Sequence, residues 1–325
     1  MVLVPTPVIE QAAFAALTLH GATAQNARPV ARSIALAEAE GNAVCGLFYL
    51  PHFCAQLAVG KIDGGACPTP TLEGAVVRVD AAMGFAQAAF ATGFPLLTQT
   101  AKTLGVAAMA IRNSGNALAL GHFVRPLAEA GFFSVAMSNA PASVAPPGAT
   151  ARLFGTNPLA WAAPRREGPP ILVDQSLSAV TKTEVLMRKA GRKALEPGWA
   201  QDARGHPTTN AAMALEGSLL PFGGQKGSNI ALMVEVLCTA LSGGVLSVSA
   251  SPLGSVEGGP PRLGQFILAL DPTRFDLGFE EALAALEAQV TAAGLRMPGR
   301  AHEVAQEVDL AEDLWRNTLT LAGLG

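Results

Sequence analysis

The segment Leu220-Pro221-Phe222-Gly223-Gly224-Gln225-Lys226-Gly227-Ser228 leads into a strongly apolar stretch, 226–241, that predicts a helix. Glycines in this turn would let the backbone approach a ligand closely, because they carry no Cβ atom. Lys226 adds a cation to the positive N-terminal end of the predicted helix, which suits a phosphate or a carboxylate. The local spacing leaves two interpretations open, an anion-binding turn and a tight structural turn.

The pattern of the remaining sequence predicts a mixed α/β protein that begins with a helical section. Helices are predicted at 9–20, 23–40, 86–104, 121–130 and 280–293, with Thr23 as an N-cap. Strands are predicted at 76–79, 106–111, 132–137, 171–173 and 266–270. The sequence contains neither a G-x-G-x-x-G fingerprint after a strand nor a G-x-x-x-x-G-K-[ST] motif. It therefore supports neither a Rossmann site nor a P-loop.

Several further segments complete a pattern that resembles one known family. They are Val79-Asp80, Gly84-Phe85-Ala86, Asn113-Ser114, Gly155-Thr156-Asn157-Pro158, Asp174, Pro207-Thr208-Thr209 and 294–299. With 220–228, they resemble the malate/L-lactate dehydrogenase-like oxidoreductases over nearly the whole chain. The likeness is nearest to the branch that reduces Δ1-piperideine-2-carboxylate and Δ1-pyrroline-2-carboxylate. It implies a non-Rossmann α/β fold with a mixed sheet flanked by helices, and a homodimer. It also implies hydride transfer from NADPH, or from NADH, to a C=N or C=O bond beside a carboxylate.

The resemblance also divides the chain and assigns the cofactor contacts. Residues 1–75 are expected to form a helical section on the substrate side and in the dimer contact, packed with C-terminal helices at 278–325. Residues 76–277 are expected to form the cofactor-binding α/β domain. Carried over by position, the cofactor contacts are Asn116, Ala117, Leu118, Ala119, Leu120, Asp174, Gln175, Ser176, Gln225, Lys226, Pro298 and Arg300.

The usual catalytic residues of the family are missing from the aligned segment 41–51. Val44 and Cys45 stand where the family has a Ser-His pair, Tyr49 replaces an arginine, and Asn116 replaces a second histidine. Glu184 keeps the position of the downstream carboxylate, with Lys182 two residues earlier. The catalytic candidates are Cys45, Tyr49, Glu184, Lys182 and His52, and the substrate-binding candidates are Thr156, Tyr49 and Lys182.

These replacements favour an imine over a ketone as the substrate. A reduced ketone is an alkoxide that needs a proton donor, whereas an iminium already carries its proton. The leading hypothesis is therefore an NAD(P)H-dependent reductase of a cyclic ketimine carboxylate or a related imine. A 2-oxo acid/2-hydroxy acid dehydrogenase and a catalytically degenerate cofactor-binding protein are the alternatives. Cys45 is interpreted either as a proton donor or as an inert buried thiol, and His52 and His122 either as replacement donors or as helix-surface residues.

Composition and sequence patterns favour a small molecule as the binding partner and disfavour a membrane or nucleic acid. Half of the residues are apolar and the mean hydropathy is +0.34, yet no apolar run reaches the roughly 18 residues of a spanning helix. The first ten residues do not have the pattern of a signal peptide, and the four cysteines are too few and irregular for a disulfide framework. The net charge of −3, without Lys/Arg clusters, disfavours nucleic acid. We therefore expect a cytoplasmic enzyme without a membrane partner. Cys45, His52 and Cys54 match no standard zinc spacing, so no metal site is expected.

Overall fold

The computed structural model describes residues 1–299 and 304–325, so the predicted cofactor contact at Arg300 lies outside the described residues. Within them, the helices are α1 (Thr6–Leu19), α2 (Ala24–Ala39), α3 (Leu50–Ala58), α4 (Ala86–Leu104), α5 (Gly121–Glu129), α6 (Lys182–Ala190), α7 (Ala211–Glu216), α8 (Gln225–Glu235), α9 (Phe279–Ala292) and α10 (Glu312–Leu321). The strands are β1 (Val2–Pro5), β2 (Thr69–Glu73), β3 (Val76–Asp80), β4 (Val106–Ser114), β5 (Phe133–Ser138), β6 (Leu159–Ala163), β7 (Ile171–Gln175), β8 (Ala200–Gln201), β9 (Pro207–Thr208), β10 (Ser218–Leu219), β11 (Leu263–Leu270) and β12 (Glu307–Leu310).

A seven-stranded mixed sheet, in the order β2-β3-β4-β11-β5-β6-β7, forms the centre of the molecule. Strands β3 and β4 are parallel because α4 carries the chain back between them, and the other neighbours are antiparallel. Alternate residues of β11 face opposite sides of the sheet: Ile267 packs with α4 and α5, and Phe266 packs with α8. Helices therefore cover both faces, and the predicted mixed α/β class is confirmed.

The N-terminal helices form a second core beside the sheet. Ile34 of α2 and Phe53 of α3 are fully buried in it. Strand β1 pairs with β12, Val2 opposite Leu310, and α10 packs on α1 and α3. Helix α9 instead joins a separate core with Trp161 of β6. The C-terminal segment is thus shared between the N-terminal helices and the sheet.

The helices and strands that the sequence predicted are confirmed to within a few residues, with one difference. The predicted helix 226–241 is α-helical only to Glu235 and continues as a π-helix, Val236–Leu241. The cause is Ser242, whose backbone N–H and hydroxyl both donate to the Leu237 carbonyl, at 3.1 and 2.7 Å. Several elements were not predicted, among them helices α6 and α7 and strands β1, β2 and β6. The β6 sequence LAWAA lacks the β-branched residues typical of strands.

The buried apolar residues are distributed among several hydrophobic cores. Many of the buried residues are alanines, whose small side chains let helices lie close to one another and to the sheet. Among the described residues, no helix combines the length and the apolar character that a bilayer-spanning segment needs.

Candidate active site

Three of the segments singled out in the sequence meet at the end of β7. The Leu177 N–H donates to the Thr156 carbonyl at 2.9 Å, and the Phe222 N–H donates to the Leu177 carbonyl at 3.0 Å. The Ala179 N–H donates to the Leu220 carbonyl at 2.8 Å. We call residues 155–158, 174–179 and 220–228 the loop junction. Backbone hydrogen bonds fix its three segments against one another, so Thr156, Asp174 to Ser176 and the glycine turn occupy one region.

Hydrogen bonds between buried polar groups hold the turn that carries Thr156. The Asn157 side chain donates to Glu235 Oε2 at 2.9 Å, and Glu235 also accepts the Ser247 N–H at 2.7 Å and hydroxyl at 2.6 Å. Gly155 lies so close to the neighbouring chain that a Cβ atom there would stand 2.2 Å from the Ala140 carbonyl oxygen. The turn therefore has one conformation, which orients Thr156.

The glycine turn before α8 is suited to an anion. Gly223 and Gly224 have φ angles of +59° and +63°, and the space next to them is open. Lys226 is exposed in the first turn of α8, where unpaired backbone N–H groups point outward. An open backbone, a helix N-terminus and a lysine together fit the phosphate groups of a nicotinamide dinucleotide.

The segment that aligns with the family's catalytic residues begins where α2 ends. A short 3-10 turn, Ala43–Cys45, follows the helix. The Leu47 N–H donates to Oε1 of Glu38 at 2.6 Å, and the Glu38 side chain is buried. Burial raises the pKa of the Glu38 carboxyl. One buried carboxylate on α2 thus holds this turn and sets the position of Cys45.

Cys45, Tyr49, Asn116 and Asp174 lie near one another between α3, the loop after β4 and the end of β7, a region that we call the cleft. Burial, with the Asp174 carboxylate nearby, raises the pKa of the Cys45 thiol to about 12. Burial likewise raises the pKa of the Tyr49 hydroxyl to about 12, and Asn116 lies beside that hydroxyl. Each of these four side chains keeps some solvent-accessible surface, which is expected for groups that line an open cleft.

Asp174 connects the loop junction to the cleft. Its Oδ2 accepts the backbone N–H of Gly121 at 2.8 Å, at the first residue of α5. Its carboxylate therefore caps that helix, where negative charge is stabilised. Burial nevertheless raises the pKa of Asp174, and Glu40 raises it further, against the lowering effect of the Gly121 amide.

The loop 252–257 closes one side of the cleft. The Tyr49 hydroxyl and the Gln56 amide both donate to the Leu253 carbonyl at 2.6 Å. Lys61 is buried, and its Nζ donates to the carbonyls of Pro252 and Ser255 at 2.7 and 3.0 Å, and to that of Glu257. Because the Tyr49 hydroxyl already donates to this loop, its predicted role as a donor to a substrate carboxylate requires the loop to move.

The family of malate/L-lactate dehydrogenases matches residues 4–314 of the chain. The chain belongs to this family. A (2R)-3-sulfolactate dehydrogenase (NADP(+)) of Chromohalobacter salexigens is 39% identical over 300 residues, which cover 92% of this chain and 90% of the relative. A Δ1-pyrroline-2-carboxylate/Δ1-piperideine-2-carboxylate reductase of Pseudomonas putida is 38% identical over 319 residues, 96% of this chain and 94% of the relative.

A solved structure of the same family shows that the likeness extends to the whole fold. The crystal structure of the Δ1-piperideine-2-carboxylate reductase from Pseudomonas syringae pvar. tomato superimposes with a TM-score of 0.94 at 33% identity. The superposition covers 99% of this chain and 100% of that one. The expected non-Rossmann malate/L-lactate dehydrogenase fold is therefore confirmed, and the chain is a member of an oxidoreductase family.

Of the other catalytic candidates, His52 lies beside Tyr49, whereas Lys182 and Glu184 lie on a separate helix, α6. Lys182 is exposed at the start of α6, and Oε1 of Glu184 accepts Nε–H of Arg188 on the same helix at 2.9 Å. Within residues 1–299 and 304–325, no hydrogen bond or ion pair joins Lys182 or Glu184 to the cleft. His52 is half-buried, its ring 5.2 Å from that of Tyr49, and burial lowers its pKa. Pro298 is exposed and adjoins the start of β7, at the end away from Asp174.

A buried polar network behind the cleft was not predicted. His122 of α5 faces α2, where its Nδ1 lies 2.7 Å from the Ser33 hydroxyl and its Nε2 lies 3.2 Å from Oε2 of Glu40. Arg125 also pairs with Glu40. The sequence carried one signal of this network: His122 and Arg125 stand three residues apart and therefore share a face of their helix. His122 is thus a buried, bonded residue, and its interpretation as a helix-surface histidine is wrong.

Proposed function

We propose that this chain is an NAD(P)H-dependent reductase that transfers hydride to the C=N bond of a cyclic ketimine carboxylate. The family membership supports hydride chemistry, and the fit of the glycine turn and Lys226 to phosphate supports a dinucleotide. When bound, the reduced nicotinamide supplies the hydride. The relatives named for reduction of pyrroline and piperideine carboxylates support the substrate class.

The observation that carries this proposal is the charge of the cleft. Asp174 is acidic, and in the described ranges no lysine or arginine forms a hydrogen bond or an ion pair with Cys45, Tyr49 or Asp174. An iminium carries a positive charge that a neighbouring carboxylate stabilises. A dianionic sulfonated hydroxy acid would meet like charge there instead. The cleft therefore favours an imine.

A second candidate is oxidation of a 2-hydroxy acid, because the sulfolactate dehydrogenase is as similar to this chain as the imine reductases are. The two candidates are separated by a substrate panel. Oxidation of NADPH and of NADH is followed with Δ1-piperideine-2-carboxylate, Δ1-pyrroline-2-carboxylate, pyruvate and 3-sulfopyruvate. We expect turnover of the cyclic imines and a preference for NADPH. Turnover of the oxo acids without any turnover of the imines would reject the imine proposal in favour of the second candidate.

The predicted site residues have proposed roles in this reaction. The loop 116–120, residues 174–176, Gln225, Lys226, Pro298 and Arg300 hold the cofactor. Thr156 and Lys182 contact the substrate, and Glu184, Cys45, Tyr49 and His52 complete the site. Within the described residues no hydrogen bond or ion pair joins Lys182 or Glu184 to Tyr49, so their participation would be through the substrate. Tighter binding of Δ1-piperideine-2-carboxylate by the wild type than by Lys182→Ala would support that arrangement.

We also propose a cytoplasmic homodimer. All four cysteines are free thiols, which suits a reducing compartment. On α8 and the π-helix, Leu232, Met233 and Val236 form an apolar stripe in which each residue is 43% to 51% exposed. In the N-terminal section, Phe48 is 49% exposed. Apolar patches of this kind are typical of subunit interfaces. Light scattering of the wild type, Met233→Glu and Phe48→Glu tests which surface, if either, maintains a dimer.

A further inference from the structure

The loop 252–257 is held to the rest of the molecule by side-chain donors. Within the described part of the chain, residues 251–261 form no backbone–backbone hydrogen bond. The carbonyls of this loop instead accept from Tyr49, Gln56 and Lys61, which lie on α3 or close to its ends. Lys61 is buried, and its Nζ alone donates to three of these carbonyls. These donors therefore orient the backbone of the loop, with its carbonyls directed at α3.

The contact with this loop decides where the hydrogen of the Tyr49 hydroxyl points. The hydroxyl oxygen lies 2.6 Å from the Leu253 carbonyl oxygen, and a carbonyl can only accept, so the hydroxyl donates its one hydrogen to the loop. Burial raises the pKa of Tyr49 to about 12, so the hydroxyl keeps this hydrogen at neutral pH. Toward the cleft, where Asn116 lies beside it, the phenolic oxygen therefore presents lone pairs and no hydrogen.

This polarity distinguishes two substrates that carry the same carboxylate. A protonated cyclic imine presents an N–H group beside its carboxylate, whereas a 2-oxo acid presents a carbonyl oxygen there. The N–H group can donate to the phenolic oxygen, but a carbonyl oxygen would bring lone pairs against lone pairs. The carboxylate oxygens are also acceptors, so Tyr49 cannot bind them while its hydrogen is donated to the loop 252–257.

We propose that the Tyr49 phenolic oxygen accepts the N–H of the protonated imine and so selects the imine over the oxo acid. Lys61 is a positioning residue, because it holds the loop whose Leu253 carbonyl accepts the Tyr49 hydrogen. This inference rests on the proposed function, since it names the side chain that distinguishes its substrate from that of the second candidate. It also reverses the role expected from the sequence, in which Tyr49 would donate a hydrogen bond to the substrate carboxylate.

Tyr49→Phe removes the hydroxyl and keeps the ring, which contacts the rings of His52 and Phe53. The test compares kcat/KM for Δ1-pyrroline-2-carboxylate and for pyruvate, because both carry a carboxylate beside the bond that is reduced. The value for the imine should fall by about 10-fold or more, as for a lost hydrogen bond to a charged group, while that for pyruvate should change by less than about twofold. Equal losses for both substrates would show that Tyr49 acts on the carboxylate or on the fold, and would overturn the proposal. Thr103→Val, at an exposed hydroxyl on α4, is the control and should change neither value.

A pair of ligands gives a comparison that does not depend on turnover. Proline, the reduction product of Δ1-pyrroline-2-carboxylate, and tetrahydrofuran-2-carboxylate share a five-membered ring and a carboxylate, but one has N–H groups where the other has an oxygen atom. Calorimetric titration with NADP+ present should show that the wild type prefers proline and that Tyr49→Phe reduces this preference by about 10-fold. If the wild type reduces oxo acids alone, the proposed function fails, and the ligand preference still decides the role of Tyr49. A wild type without this preference, or a preference unchanged in Tyr49→Phe, would reject Tyr49 as the acceptor.

Lys61→Met tests the positioning role without altering the Tyr49 side chain. Lys61 donates to carbonyls on both sides of Leu253 but not to Leu253 itself. Loss of these bonds loosens the loop, which frees the Tyr49 hydroxyl to turn toward the cleft and to meet the ligand as a donor. The preference for proline should therefore fall by about threefold, as expected for residues coupled through one hydrogen-bond network. Lys102→Met, at an exposed lysine on α4, is the control and should leave the preference unchanged.

The direction of the hydroxyl hydrogen can also be observed by spectroscopy, because Tyr49 is the one tyrosine of the chain. The tyrosine doublet of the Raman spectrum therefore comes from this residue alone, and its intensity ratio reports whether a phenolic hydroxyl donates or accepts. The free wild type should show a donating hydroxyl, and Lys61→Met a hydroxyl that donates less strongly. A wild-type hydroxyl that only accepts would overturn the proposal. A spectrum and a ligand preference that are both unchanged in Lys61→Met would overturn the positioning role of Lys61.

Discussion

The loop junction and the turn at residues 43–49 contribute to one cleft but are built in different ways. Backbone hydrogen bonds join the segments of the loop junction, and Gly155 leaves no room for a side chain against Ala140. The turn at 43–49 is held by the Glu38 side chain, which accepts the Leu47 N–H, and by short-range backbone hydrogen bonds such as that from the Cys45 N–H to the Asn42 carbonyl. The comparison explains why the glycine-rich segments keep the family pattern while Val44, Cys45 and Tyr49 depart from it. Backbone hydrogen bonds between distant segments constrain the first region, whereas one buried carboxylate and local hydrogen bonds hold the second.

Gly155→Ala should have the largest effect, because it tests the rigidity of the loop junction. The added Cβ would stand 2.2 Å from a carbonyl oxygen that belongs to the backbone and cannot rotate away. We expect the free energy of unfolding to fall by about 3 kcal/mol. Urea unfolding followed by circular dichroism measures the change.

Gly259→Ala is the control for this substitution. Gly259 lies in a surface loop with open space around it and needs no left-handed backbone, so alanine should change the free energy of unfolding by less than about 0.5 kcal/mol. Equal losses in the two variants would show that the loop junction is no more rigid than a surface loop, and the comparison of the two regions would break down.

Glu38→Ala should have the next largest effect, because it removes the one side chain that holds the turn at 43–49. The Leu47 N–H would lose its acceptor in a buried position. We expect a loss of about 2 kcal/mol in the free energy of unfolding. The loss of activity should exceed the loss of NADPH binding, since Cys45 and Tyr49 move while the loop junction stays. Steady-state kinetics beside fluorescence titration would show this difference.

Glu38→Gln tests the burial of this carboxyl through the pH dependence of the free energy of unfolding. Burial raises the folded-state pKa of Glu38 above its unfolded value. A group whose pKa is raised on folding contributes fully to the free energy of unfolding below its unfolded-state pKa. This contribution is lost as pH rises through the folded-state pKa. The stability of the wild type relative to Glu38→Gln should therefore decline with rising pH. A difference independent of pH would contradict the assigned burial of this carboxyl.

Lys61→Met should have a smaller effect, confined to the loop 252–257. The substitution removes three hydrogen bonds to loop carbonyls, but these groups can rehydrate because the loop lies at the surface. We expect a loss of about 1 kcal/mol and faster proteolysis within 252–257. Lys102→Met, at an exposed lysine, is the control. An unchanged proteolysis rate in Lys61→Met would mean that Tyr49 and Gln56 hold the loop without it.

Local sequence signals predicted most of the elements but not the contacts that build the cleft. The sequence pattern predicted helix α4 with the observed bounds, and Lys226 stands in the first turn of the helix that it was expected to begin. These signals act within one turn of helix. The contact of Asp174 with Gly121 spans 53 residues, and that of Ser33 with His122 spans 89. Both depend on the order of strands in the sheet, which no local pattern specifies.

The contacts of the catalytic candidates were likewise not predicted from the sequence. The resemblance placed Glu184 and Tyr49 together by analogy, yet the Glu184 carboxylate is paired with Arg188 and the Tyr49 hydroxyl with Leu253. The partner of a long polar side chain depends on which neighbours the fold supplies. Alignment predicts where the backbone of a residue lies, but only the structure shows which group its side chain bonds to.

Cys45→Ala should have the smallest effect, and it decides between the two interpretations of this thiol. With a pKa of about 12, about one thiol in ten thousand is ionised at pH 8, so Cys45 should be inert toward a disulfide reagent. Exposed Cys67 should give the one fast reaction, and Cys67→Ser should abolish it. We expect Cys45→Ala to keep kcat within roughly twofold, because so weakly acidic a thiol is a poor proton donor. A second fast thiol that disappears in Cys45→Ala, together with a large loss of kcat, would instead make Cys45 the proton donor.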